Sequence, residues 1–120
     1  MVPDKEMGGS SFGRDERLVK GSDYNELRNT GKKTHTKHFI IVTRLSPTRR
    51  SRLGITASAR VGNAVQRNRI KRLLREFFRL NKDKFNPPTD VHIIARKGSV
   101  GLKYADVCKE IEGSIFPVHP

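Results

Sequence analysis

Apolar residues recur along this chain with two spacings, and each spacing predicts a kind of element. In HFIIVTRL, residues 38–45, Phe39 and Ile41 fall on one alternating face and Ile40 and Val42 on the other, the pattern of a β-branched sheet strand. RLGITAS, 52–58, alternates Leu53, Ile55 and Ala57 and predicts a second strand. The SPTRRS turn around Pro47 lets these two pair as a hairpin. VHIIARK, 91–97, is a further strand. Helical spacing takes over in NAVQRNRIKRLLREFFRL, 63–80: wound at ~100° per residue, Ile70, Leu73, Leu74, Phe77 and Leu80 share one apolar sector that can pack on a sheet. Asn63 is placed to cap this helix, predicted from Ala64 to Asn81, and Pro87 and Pro88 stop anything beyond it. LKYADVCKEIEGSIF spaces Tyr104, Cys108, Ile111 and Ile115 as a final helix.

A shorter helix is predicted near the start, beginning at Asp23 with Ser22 as its cap, Tyr24 and Leu27 on one side and Gly31 as its stop. Residues 1–13 carry Pro3, Gly8, Gly9, Ser10 and Ser11, the composition of a disordered arm. The folded unit is expected over 14–115, with 116–120 as a tail. The strands near 52–58 and 91–97 are joined by a helix, so they can be parallel neighbours with the hairpin antiparallel beside them. The class is α+β, a mixed sheet covered by helices, and 120 residues suffice for one modest core.

Charge changes what such a domain is for. Residues 1–30 hold five basic and six acidic side chains, and the remainder twenty and six, so the net charge of +13 arises after residue 30. A small domain that tolerates this self-repulsion calls for a polyanionic partner, with nucleic acid ahead of an anionic membrane surface or an acidic protein. No run approaches the ~18 apolar residues of a membrane span. The start, MVPDKEMGGSSFGRDE, has neither a basic leader nor an apolar stretch, and a cytoplasmic location is expected. The lone Cys108 and four scattered histidines give no zinc spacing, and Cys108 reads as a small buried hydrophobe.

The long helix carries the candidate chemistry. Arg67, Lys71 and Arg75 form an i,i+4 stripe at the edge of its apolar sector, and Asn68, Arg69, Arg72 and Arg79 extend the polar face, with Glu76 the single acid in 63–80. Like charges at that spacing oppose the helix by about 0.2–0.5 kcal/mol per pair, whereas a merely solubilising face interleaves Glu with Lys. Arg outnumbers Lys five to one here, and its flat fork suits phosphate or base stacking. Asn68 either reads a base edge or ribose hydroxyl or is a plain surface amide. Ile40, Val42 and Tyr24 either form a shallow apolar surface for single-stranded bases or are covered by helices. A self-sufficient nuclease would need clustered carboxylates or a histidine pair, and no such motif is present; a general nucleic-acid coat would fit the composition alone.

The run RLGITASARVGNAVQRNRIKRLLREFF followed by IIARKGS resembles the protein subunit of bacterial ribonuclease P, whose hallmark Arg-Asn-Arg stands here as Arg67, Asn68 and Arg69. A weaker resemblance runs through RLVKGSDYNELRNTG and KHFIIV. It implies a single-domain α/β sandwich of αβββαβα order, with a mixed four-stranded sheet, a left-handed βαβ crossover, and a first strand drawn partly from TGKKTHT. It also implies a noncatalytic subunit: a large RNA holds the catalytic centre and most of the Mg²⁺, and cleavage releases the 5′ leader of precursor tRNA. No membrane or small-molecule partner is implied. By position, Arg60, Asn63, Arg67, Asn68, Arg69 and Arg72 would bind the catalytic RNA. Tyr24, Arg28, Ile40, Val42, Lys71, Arg75, Ile94 and Lys97 would form the leader-binding cleft. Arg28 stands where many relatives place a second aromatic, so leader stacking would rest on Tyr24, with Arg28 on phosphate. Ala59 replaces a frequent Lys, removing one electrostatic contact.

Overall fold

The structure, a computed structural model, describes residues 16–116; the expected arm over 1–13 and the tail past Phe116 lie outside the described residues. The elements run α1 (Gly21–Thr30), β1 (Lys32–His35), β2 (Phe39–Leu45), β3 (Arg52–Thr56), α2 (Ala64–Leu80), β4 (Thr89–Ala95) and α3 (Tyr104–Ile115). They form the expected mixed sheet of an α+β domain. Its order is β1-β2-β4-β3, antiparallel except between β3 and β4, which are parallel and joined across α2.

The expected hairpin between 38–45 and 52–58 does not form, because β4 lies between those strands. β4 is the most thoroughly buried strand, with Thr89, Asp90, Val91, Ile93 and Ala95 all buried. A strand buried this thoroughly needs ladder partners on both edges for its N–H and C=O groups. The turn over 46–51 therefore spans two strand spacings and clips the entry of β4: Ser46 donates its N–H to Pro88 O at 2.9 Å, and Ser51 Oγ accepts from Thr89 N–H at 2.9 Å. The hairpin that does form joins β1 to β2, with Lys33 opposite Val42 and His35 opposite Ile40.

One sheet face meets α2 and α3 in the main core, where Phe39, Ile41, Leu53, Val91 and Ile93 pack on Ile70, Leu74, Phe77, Val107 and Ile111. Asn63 caps α2 as expected, in a reciprocal box with Gln66: Asn63 Oδ1 accepts from Gln66 N–H at 2.8 Å and Gln66 Oε1 from Asn63 N–H at 2.9 Å. The apolar sector is displaced from the expected one. Leu80 is 56% exposed, whereas Phe78 is 1% exposed, because Phe85, in the turn leaving the helix, covers that side with ring centroids 5.4 Å apart. α1 starts at Gly21 and not Asp23. Lys20 stands at its N-cap without a side-chain bond, so Ser22 does not cap it. Cys108 is half-buried against the core, and Phe116 packs there too, 4.9 Å from Phe85 between ring centroids. Glu110 of α3 ties the sheet to the helix layer. Its carboxylate accepts from Thr36 Oγ1, from His38 N–H at 2.7 Å, and pairs with His38 Nδ1 at 2.8 Å.

Candidate nucleic-acid interface

Alternate side chains put the even-numbered residues of β2, β3 and β4 on the sheet face away from the main core. Strand register then lines them up in rows. The first row is Arg44, Asp90 and Arg52; the second Lys33, Val42, His92 and Gly54; the third His35, Ile40, Ile94 and Thr56.

Helix α1 covers the first row by charge. Asp90 is fully buried and accepts from Arg44 Nε at 3.0 Å and from Arg52 Nε and Nη2 at 2.8 and 2.7 Å. The same arginines reach up to α1, where Arg44 meets Glu26 at 3.0 Å and both meet Asp23 at 3.4 Å. A buried carboxylate is costly unless paired and hydrogen-bonded, and here it holds two strands and a helix in one arrangement.

The second row is covered by fit. Leu18, Leu27 and Val42 form a small second core, and Tyr24 settles over the bare backbone of Gly54, where an added Cβ would lie 2.4 Å from its Oη. The Tyr24 hydroxyl donates to Leu18 O at 2.9 Å, and its ring meets His92 edge-on with centroids 4.8 Å apart. Burial raises the Tyr24 phenol above its ordinary value, so it stays protonated and able to donate.

The third row is left open. Together with the uncovered part of the second it floors a groove of about 310 Å³ lined by Arg28, Lys33, His35, Ile40, Val42, Thr56, His92 and Ile94. Cations stand on α1 and on the edge strand β1, and apolar side chains lie between them. His92 is bonded through Nε2 to Thr56 Oγ1 at 2.8 Å. Burial, and then the charge of Arg28, push its imidazole below the ordinary histidine value, so it is neutral at pH 7.

The cationic side of α2 reaches this face around the β3 edge. Lys71 and Arg75 line a second cavity of about 130 Å³ with Arg17, Leu18, Tyr24, Leu53, Gly54 and Ile55. The Tyr24 ring, which lines the smaller cavity, thus touches the His92 ring, which lines the larger. Further round α2, Asn68 and Arg72 are exposed, as are Arg60 and Asn63 before the helix. Arg67 and Arg69 are half-buried: Arg67 Nε donates to Gly62 O at 3.2 Å and Arg69 Nη1 to Val100 O at 3.1 Å. Each bond takes one of the five donors of a guanidinium.

The expected cleft residues therefore fall into two groups. Arg28, Ile40, Val42 and Ile94 share the groove, whereas Tyr24, Lys71 and Arg75 share the smaller cavity. Lys97, exposed beyond the end of β4, is in neither lining. Val42 is only 2% exposed, and Tyr24 is half-buried and hydrogen-bonded, so neither is a free platform. Asn63 spends its side-chain oxygen on the helix cap. Sequence reasoning missed Lys33, His35, Thr56 and His92. Strand parity held the signal for His92, two residues from Ile94 and so on the same face.

Among the described residues, no group of three or more His, Cys, Asp or Glu side chains is placed to hold a metal ion. Asp23, Glu26 and Asp90, which do gather, are occupied by Arg44 and Arg52, so these side chains do not fit Mg²⁺. No helix among the described residues is long and apolar enough to cross a membrane.

The chain matches the ribonuclease P family profile over residues 12–116. It belongs to the ribonuclease P protein family. It is 49% identical over 98 residues to the ribonuclease P protein component of Syntrophus aciditrophicus, covering 82% of each chain. With that of Desulforapulum autotrophicum it shares 46% over 110 residues, covering 92% of this chain and 93% of the other. Among solved structures, the ribonuclease P protein of Thermotoga maritima superposes with a TM-score of 0.75 at 28% identity, over 88% of this chain and 98% of that one. That of Staphylococcus aureus gives 0.76 at 29% identity, over 83% and 92%. The ribonuclease P match takes in every element from α1 to α3 and both cavity linings, and it ends at Phe116, the residue that closes the core.

Proposed function

We propose that the chain is the RNA-binding, noncatalytic subunit of a ribonuclease P ribonucleoprotein acting in the cytoplasm. Arg60, Asn63, Arg67, Asn68, Arg69 and Arg72 hold the catalytic RNA. Tyr24, Arg28, Ile40, Val42, Lys71, Arg75, Ile94 and Lys97 belong to the cleft that receives the 5′ leader of precursor tRNA, with Val42 buried beneath its surface. Hydrolysis that frees the leader depends on Mg²⁺ held mainly by the RNA, and no residue of this chain is catalytic. Neither a membrane nor a small-molecule substrate takes part.

The observation that carries this reading is the course of the stripe Arg67, Lys71 and Arg75. It begins on the outer side of α2 and ends in a cavity beside Tyr24, so one helix edge serves two polyanions on different surfaces. Like charges four apart work against the helix, and phosphate on that face offsets the repulsion. The groove supports the leader assignment: an apolar floor with cations along its sides fits single-stranded RNA, whose bases need a surface and whose phosphates need charge.

Cleavage of precursor tRNA by the cognate catalytic RNA at low Mg²⁺, with and without the protein, tests this. Stimulation beyond that given by an unrelated basic protein is expected; equal stimulation would favour a general coating protein. Cleavage by protein rigorously freed of RNA would overturn the noncatalytic assignment. Arg67→Ala with Arg69→Ala should weaken assembly with the catalytic RNA and reduce the salt dependence of binding by about 0.7–0.9 in log K per log salt for each phosphate no longer neutralised. Tyr24→Ala should chiefly weaken binding of precursor relative to mature tRNA.

A further inference from the structure

The groove holds more recognition chemistry than phosphate binding requires. Its floor of Ile40 and Ile94 is apolar, Arg28 and Lys33 supply charge, and His92 and Thr56 form a hydrogen-bonded pair at the β4–β3 side. Tyr24 is already committed: its ring is seated over Gly54 and its hydroxyl holds Leu18 O. His35 lines the groove from the exposed edge strand β1. The His92 ring is instead fixed on two sides, by Thr56 at 2.8 Å and by the Tyr24 ring at 4.8 Å. A side chain ordered before the ligand arrives loses less entropy on binding.

An imidazole and a hydroxyl side by side offer both a donor and an acceptor, which is what the edge of an unpaired base presents in return. The ring is neutral at pH 7, so its contribution is shape and hydrogen bonding and not another charge. The charged groups around it, Arg28 on α1, Lys33 on β1, and Arg44 and Arg52 paired with Asp90 in the next row, leave the His92–Thr56 pair as an uncharged polar contact among cations.

We infer that His92, with Thr56 holding its ring, is a specificity-determining residue through which the groove distinguishes leader bases. A base resting on Ile40 and Ile94 lies against the imidazole and meets the His92–Thr56 pair with its edge. This rests on the assignment of the groove to the leader and adds to it a residue that makes leader binding depend on base identity.

The test uses the reconstituted holoenzyme with its cognate catalytic RNA. Its readout is the affinity for precursor tRNA divided by that for mature tRNA, a ratio that cancels any loss of assembly. Leaders carrying a single abasic nucleotide, moved position by position, are compared with intact leaders, and at the sensitive position each of the four bases is tried. With the wild-type chain, one position should lose about fivefold or more of the ratio when its base is removed, the lower end of what a stacked base contributes. His92→Ala should abolish that sensitivity. His92→Phe, which keeps an aromatic surface and the packing on Tyr24, should retain the abasic effect but flatten the preference among bases, and Thr56→Val should flatten it likewise. A wild-type chain that separates precursor from mature tRNA with no position sensitive to its base overturns the inference and leaves the leader assignment standing. So does unchanged sensitivity in His92→Ala, or unchanged base preference in both His92→Phe and Thr56→Val. A wild-type chain that binds precursor and mature tRNA equally overturns the leader assignment itself.

Discussion

Gly54→Ala isolates the contact that seats α1 on the sheet. A Cβ on Gly54 would lie 2.4 Å from Tyr24 Oη, 2.7 Å from Cε1 and 2.8 Å from Cζ, closer than non-bonded carbon can sit. The sheet backbone is held by ladders on β4, so the ring is the part that moves. Its displacement breaks the hydroxyl bond to Leu18 O, a loss of about 0.5–1.5 kcal/mol. It also parts the ring from His92, which adds about 0.5–1.5 kcal/mol. Against this, Ala narrows the unfolded ensemble relative to Gly and returns about 0.4–1 kcal/mol. At their midpoints these terms leave a net destabilisation of about 1.3 kcal/mol, a fall in Tm of roughly 5–10 °C for a domain of this size. Thermal and urea unfolding of Gly54→Ala, Tyr24→Ala and the double variant form a cycle. With the Tyr24 ring gone, Gly54→Ala should be neutral or slightly stabilising. The same cost in both backgrounds, or none in the wild type, would refute the account of Gly54 as a socket.

Asp90→Ala leaves Arg44 and Arg52 without their buried partner and should cost about 3–5 kcal/mol in urea unfolding; a cost below about 1 kcal/mol would mean that Asp23 and Glu26 alone neutralise the pair. Asn63→Ala removes one half of the cap box and should cost about 1 kcal/mol by the same assay, whereas no change would show that Gln66 suffices. Burial by itself would raise the Glu110 carboxyl, but hydrogen bonds from Thr36 and His38 hold it below the ordinary 4.5. Its stabilisation is therefore present above pH 4.5 and lost as pH falls through the lowered folded value, so Glu110→Gln should flatten stability against pH in that acid range and an unchanged profile would refute the linkage. Asp23→Asn with Glu26→Gln should unmask Arg44 and Arg52, strengthening mature tRNA binding at low salt and steepening its salt dependence; an unchanged slope would show that Asp90 alone contains their charge.

The helices were legible because their patterns are local. Asn63 and Gln66 cap α2 within four residues, and Ile70, Leu74 and Phe77 repeat at the helical period. Sheet order was not legible, since the β2–β3 turn is short enough for a hairpin and nothing in it shows that β4, more than thirty residues on, inserts between them. The same blindness affects Leu80 and Phe78. They flank the apolar sector almost symmetrically, and Phe85 decides which of them is covered. Crossover handedness came from family resemblance alone. Of the site, the cationic stripe followed from helical winding and Ile40 and Val42 from strand alternation, whereas Ile94 came from the family resemblance. Parity also carries His92, but a histidine among the apolar residues of VHIIA gives no sign of a partner until register brings Thr56 beside it.

The first row explains why α1 can shape a groove on so basic a domain. Arg44 and Arg52 lie on the same sheet face as the groove, and unpaired they would draw phosphate to the wrong end of it. Asp90 beneath them and Asp23 and Glu26 above them supply three carboxylates for two guanidiniums, so that end of the face carries no excess of positive charge. In the two cavities the arrangement is reversed: they are lined by Arg28 of α1, Lys33 of β1 and Lys71 and Arg75 of α2, with no carboxylate among their lining residues, and Glu76, the acid of α2, lies outside both linings and pairs with Arg79 at 2.5 Å. Attraction between exposed charges fades within about 8–10 Å at physiological salt, so a neutralised row is enough to shift the pull on a polyanion toward the open rows. The acids that anchor α1 to the sheet are thus the same acids that leave the cationic ends of the cavities as the surface open to a polyanion.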